Sequence, residues 1–150
     1  MTKTDLQKQL KDSMLAKDSV RTSVLRLVLS SINYYEIQKG GAGYTATEED
    51  VQVVIQKEAK QRRDSITEFE KAQRQELVEN EQKELDILKE FLPEQMSEEE
   101  IKSIVELTIS EVGATSIQDM GKIMGALTPK LKGKADMGIV SNFVKEKLNH

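Results

Sequence analysis

The chain has 150 residues, with 22 lysines and arginines against 26 acids, a net charge of −4, no cysteine, and a single histidine at its last position. The missing thiol excludes disulfides, thiolate metal sites and cysteine nucleophiles, and His150 alone leaves no imidazole for proton shuttling or a Ser–His pair. No apolar run reaches spanning length, so no membrane-crossing helix is predicted.

The opening Met1-Thr2-Lys3-Thr4-Asp5 lacks a secretory apolar core. Asp5, Asp12 and Asp18 argue against an acid-poor transit peptide, so the expected compartment is the cytoplasm. Leu6, Leu10 and Met14 recur at i, i+4, i+8 and predict a short amphipathic helix. Asp18 or Ser19 caps a second helix, in which Val20, Val24, Leu25, Leu27, Val28, Leu29 and Ile32 spread over more than one stripe. Such a helix is expected to be covered by several neighbours. Gly40-Gly41-Ala42-Gly43 ends it as an exposed connector, since no strand precedes the run and no Gly-Lys-Ser/Thr follows, as a phosphate loop requires.

Thr47-Glu48-Glu49-Asp50 reads as a capping box. It opens a helix with Val51, Val54, Ile55, Ala59, Ile66 and Phe69 on one face, running to about Gln73. A second stripe, Leu77, Val78, Leu85, Leu88, Phe91 and Leu92, stops at Pro93. Each stripe needs cover, so the pair is read as an antiparallel hairpin. Arg62 lies on the seam with Glu58 one turn earlier, and Glu81 is expected to face them in a helix–helix ion pair.

Ser97 with Glu100 forms a second capping box, followed by Ile101, Ile104, Val105, Thr108, Ile109 and Val112 up to Gly113. Ser116 and Asp119 start the next helix, with Ile117, Met120, Ile123 or Met124, Leu127 and Leu131, which Pro129 should kink or end. Asp136 caps the last, whose inner face is Val140, Phe143, Val144 and Leu148. The predicted class is all-α: an N-terminal helical module of two helices plus a long antiparallel hairpin (1–93), then a small three-helix module (94–150).

No Glu-x-x-His ligand pair exists, and the carboxylates, 17 before Pro93 and 9 after it, sit mostly on polar helix faces. No catalytic residue, metal ligand or cofactor is therefore assigned. The positive charges say more. From Gly113 onward six lysines meet three acids, and Lys122, Lys130, Lys132 and Lys134, with Gly133, form the candidate RNA-binding set. Lysines near a helix end also complement its dipole, and the residues alone favour that reading. Arg21, Arg26, Lys60 and Arg63 form a secondary basic group. With no aromatic stacking platform, contact is expected to follow backbone shape more than base identity.

Four strings carry a resemblance: Lys60-Gln61-Arg62-Arg63-Asp64-Ser65-Ile66; Phe91-Leu92-Pro93; Asp119-Met120-Gly121-Lys122-Ile123-Met124-Gly125-Ala126-Leu127; and Lys132-Gly133-Lys134-Ala135-Asp136. In these the chain resembles the YqeY-like family, itself similar to the C-terminal region of the B subunit of tRNA-dependent amidotransferases. The likeness covers essentially the whole chain. It implies an all-helical fold and, because the amidotransferase tail engages tRNA while other domains do the chemistry, a module binding tRNA or another structured RNA.

The chain is thus expected not to be an enzyme on its own. It is an accessory to a glutamine-dependent carbon–nitrogen ligase at most, and ligase activity is inherited by homology only. The alternative is a protein–protein adaptor for an enzyme complex, with Met14, Met120, Met124 and Met137 as adaptable contacts. The family often has Gly near Ala72-Gln73-Arg74, whereas Gln73 stands here, which leaves the hairpin boundary open.

Overall fold

Helix starts in this chain are written into short polar strings, and a computed structural model, which describes residues 1–149, shows how they act. Thr2 and Asp5 form a reciprocal capping box that opens α1 (Lys3–Leu15). Asp18 accepts from the Arg21 N–H at the start of α2 (Ser19–Gly40). Thr47 and Asp50 open α3 (Glu48–Lys71) and Ser97 with Glu100 opens α5 (Glu98–Val112), both as full boxes. Each box satisfies two N–H groups that a bare helix end leaves without partners. Between them α4 (Gln75–Lys89) starts at Arg74 with no side-chain cap. Ser116 and Asp119 bracket a 3-10 turn (Ile117–Asp119) that leads into α6 (Met120–Leu131). Asp136 accepts from the Gly138 N–H at the start of α7 (Met137–Leu148). The described residues contain no strand, and the all-α class holds. None of their helices is long and apolar enough to cross a membrane.

The chain divides into two compact units, Met1–Leu92 and Pro93–His150. In the first, α2 packs against α1, α3 and α4, while α3 and α4 form the hairpin. Its core joins Leu6, Val24, Leu25, Val28, Ile32, Val51, Ile55, Ala59 and Leu88. In the second, α5, α6 and α7 pack pairwise around Val105, Ile123, Leu127, Leu131, Val140 and Val144, all without solvent exposure. Ile123 is the core residue and its neighbour Met124 is half-buried, which resolves that alternative. Pro129 falls within the last turn of α6, which runs two residues further before Lys132 ends it.

Several expectations need correction. Met14 is 50% exposed and leaves the α1 stripe after Leu10; the buried position there is Ser13, whose hydroxyl pairs with that of Thr22 at 2.9 Å. On α2, Val20 and Leu27 face solvent although they are as apolar as their buried neighbours. Glu84, one turn before Leu88, bonds Arg62 Nε at 3.2 Å in the place expected of Glu81.

The hairpin turn explains how Gln73 replaces a glycine. The N–H of Gln73 donates to the Glu70 carbonyl and that of Arg74 to Phe69, the paired bonds that close a helix end through a left-handed residue. Gln73 is that residue, with φ of 56°. A side chain in this region costs about 1–2 kcal/mol, part of which glycine would return through its freer unfolded chain. Gln73→Gly is therefore expected to raise the stability of the first unit by up to about 1 kcal/mol. Gln73→Val is expected to lower it by at least as much, because a β-branched side chain tolerates this region worse. Urea midpoints compare the two; a drop with glycine would contradict the argument.

Candidate nucleic-acid interface

Three of the four candidate lysines, Lys130, Lys132 and Lys134, sit where α6 ends and the chain turns into α7. Gly133 makes that turn with φ of 85°, a left-handed conformation that favours a residue without Cβ. It is buried, and its carbonyl accepts from Gln95 Nε2 at 3.0 Å. The Lys134 carbonyl accepts from the Met96 N–H at 2.9 Å. These bonds pin the turn to the segment that precedes α5. Gly133 thus holds the backbone of the turn, while Lys132 and Lys134 on either side are exposed.

The four lysines are not equivalent. Lys130 is drawn toward Glu111 on α5 at 3.5 Å, an exposed pair of small energetic weight. Lys122 lies in the first turn of α6, about 12 Å along the axis from Lys130 at 1.5 Å per residue. There it stands near Asp119, whose carboxyl is held below the ordinary range mainly by the N–H groups of Thr115 and Ser116, with Lys122 adding a smaller pull. Among the described residues Lys122, Lys132 and Lys134 carry no ion pair. Farther along, Lys147 is bound to Glu106 at 2.6 Å.

Two features of the surroundings escape a one-dimensional count. The Met96–Lys134 bond brings the start of α5, with Glu98, Glu99 and Glu100, toward the turn. Counted from Pro93, seven lysines meet nine acids, so the excess of lysines is confined to the stretch after Gly113 and does not extend to the whole unit. Gln95, which pins Gly133, gives no signal in the sequence beyond its place in a short linker.

The secondary basic group is largely engaged inside the first unit. Arg21 pairs with Glu90 at 2.6 Å, bonds Gln9 and lies over the Phe91 ring. Lys60 pairs with Asp64 at 3.1 Å. Arg26 is exposed, near the Met14 sulfur, and Arg63 is half-buried. Of the methionines weighed as adaptor contacts, Met120, Met124 and Met137 pack against the core of the second unit, and Met14 alone is exposed.

Seven helices and no strand among the described residues, with a lysine-bearing turn between the last two helices, define a small helical module. It belongs to the YqeY-like family, whose pattern, described as Yqey-like protein, matches residues 3–148. Among curated relatives, the protein named altered inheritance of mitochondria protein 41, mitochondrial, of Clavispora lusitaniae is 36% identical over 74% of this chain and 64% of its own length. Its namesake in Lachancea thermotolerans is 37% identical over 72% of this chain and 58% of its own. In Saccharomyces cerevisiae the values are 31%, 81% and 68%. The matched region spans less than two thirds of the length of the first two relatives.

These names overturn the cytoplasmic expectation, because the relatives are mitochondrial proteins by name. Asp5 is the N3 partner in the capping box of α1 and Asp18 is the N-cap of α2, roles these helices need in any compartment, so the acidity of these two residues carries no address.

Proposed function

We propose that this chain is a non-catalytic helical module that binds tRNA or another structured RNA through the lysine-bearing face of its C-terminal unit. The observation that carries the reading is the set Lys122, Lys132 and Lys134, exposed and without ion pairs in a chain of net charge −4. Exposed ammonium groups without ion pairs neutralise phosphates and so release the counterions condensed on the polyanion, which is the source of affinity for phosphate backbones. The resemblance to the tRNA-engaging tail of the amidotransferase B subunit supports tRNA as the class. Phe143, the one aromatic after Pro93, is half-buried beneath Lys102, so this unit offers no stacking platform and recognition goes through phosphates and shape.

The test is tRNA binding by the full chain, read by fluorescence anisotropy across a salt series. The logarithm of affinity is expected to fall linearly with that of salt, by about 0.7–0.9 per phosphate contact. Replacing Lys122, Lys132 and Lys134 together by alanine should make that slope shallower by about 2–3. All three are exposed, so the variant should keep its fold. No binding at low salt, or an unchanged affinity and slope in the variant, would sink the proposal.

A further inference from the structure

The exposed side of α2 is ordered in a way its composition does not announce. Val20, Leu27 and Tyr34 recur every seven residues, and Ser23, Ser30 and Ile37 recur with the same period, three positions later. Together they make one stripe about 26 Å long at 1.5 Å per residue, the a/d lattice of a helix that expects a helical partner. Yet α1, α3 and α4 leave it open. Val20 is 40%, Leu27 51%, Tyr34 66% and Ile37 62% exposed.

Beside the stripe runs a groove of about 520 Å3 between α2 and α3, lined among others by Ser30, Tyr34, Gln38, Lys57 and Gln61. The small Ser23 and Ser30 leave gaps between the larger side chains, into which knobs from a second helix fit.

The charges bordering this face decide what covers it. The carboxylates nearby are already engaged. Glu58 accepts from Ser31 with one oxygen and from Arg62 with the other. Glu36, the one acid of α2, accepts from Lys3 and from the Ala46 N–H. The cations remain available. Arg26 flanks the stripe on one side, three residues after Ser23 and four before Ser30, and Lys57 borders the groove on the other; both are exposed.

We propose that this face docks an amphipathic helix of a partner protein, one that presents an apolar seam flanked by glutamates or aspartates. A second copy of this chain fits badly, because it would bring the same two cations and no free carboxylate. An RNA would leave Leu27 and Ile37 without an apolar counterpart. The proposal is independent of the RNA reading, which concerns the other unit.

The probe is a synthetic helical peptide of about 21 residues, three heptads, with Leu at a and d and Glu at e and g, compared with its Lys-flanked counterpart. Binding to the full chain is read by anisotropy, with sedimentation velocity as control. The acidic peptide is expected to bind roughly tenfold or more tighter than the basic one, with an advantage that shrinks as salt rises. Leu27→Lys and Ile37→Lys, both at exposed positions, should each abolish binding while leaving the helical circular dichroism signal unchanged. The Lys122, Lys132 and Lys134 triple variant should bind the peptide as the parent does, which separates this test from the RNA one. Equal affinity for both peptides, no binding up to roughly 1 mM, or self-association that Leu27→Lys removes would each overturn the proposal.

Discussion

Arg62→Ala is expected to destabilise the first unit by about 3 kcal/mol, the lower end of what removing one partner of a buried ion pair costs. Arg62 is 6% exposed and lies on the seam of the α3–α4 hairpin. Its Nη1 donates to Glu58 Oε2 at 2.9 Å and its Nε to Glu84 Oε2 at 3.2 Å. Truncation leaves those carboxylates on the seam without a counter-charge. The lower end applies because the Glu84 side chain is 29% exposed and reaches water.

Glu81 adds a second readout. Burial, and then the neighbouring Glu84, hold its carboxyl above the ordinary range, while Arg62 pulls the other way. Losing Arg62 should push it higher still. Arg62→Met with Glu58→Gln and Glu84→Gln should recover most of the loss, since removing all three charges of the bonded trio leaves none of them unpaired. The chain has no tryptophan, and its three tyrosines, Tyr34, Tyr35 and Tyr44, all lie in the first unit. Denaturation followed by tyrosine fluorescence therefore reports on that unit. A cost below about 1 kcal/mol would place the trio among weakly contributing surface pairs.

That seam also shows where the sequence stops being informative. Helix ends are legible because cap and partner lie within three residues of each other, as in Thr47 with Asp50 and Ser97 with Glu100. Arg62 itself can be placed on the seam by its spacing from Ala59 and Ile66. Choosing Glu84 over Glu81 as its partner depends on the register of α4 against α3, which the turn at Gln73 sets and no local pattern encodes.

The same limit governs α2, where Val24 and Leu25 are buried and Val20 and Leu27 are not. The four are alike in hydrophobicity, and only the placement of the other helices separates them. At the candidate RNA face the lysines are visible as a charge run. That Gly133 is buried, that Gln95 pins it and that the start of α5 brings acids toward it are tertiary facts.

The second large effect centres on Asp50, an N3 capping residue that does much more than cap. It is 5% exposed, and it accepts from the Tyr35 hydroxyl at 2.9 Å, Lys39 Nζ at 2.7 Å, the Tyr44 hydroxyl and the Thr47 N–H at 3.0 Å. Lys39 first, then Tyr44 and the Thr47 N–H, hold its carboxyl far below the ordinary value of 3.8. A depressed carboxylate contributes stability that is whole above its unfolded pKa and is lost as pH falls through that value toward the folded one.

The cluster's other members act at the opposite end of the scale. The Asp50 bond raises Lys39 above its ordinary 10.5 and Tyr44 above its ordinary 10.0. Groups raised on folding contribute below their unfolded pKa and lose that contribution as pH rises through the folded one. The cluster therefore supports the first unit on a plateau from about pH 5 to about pH 10, with a flank on each side. Asp50→Asn keeps the shape and removes the charge that all four donors share. Its urea midpoint should lie farthest below the parent's on the plateau, and the gap should narrow below pH 3.8 and again above 10.5. A gap that stays constant across this range would mean that the loss is one of packing, and that the shared carboxylate is not what ties Gly43-Tyr44 and the end of α2 to the start of α3.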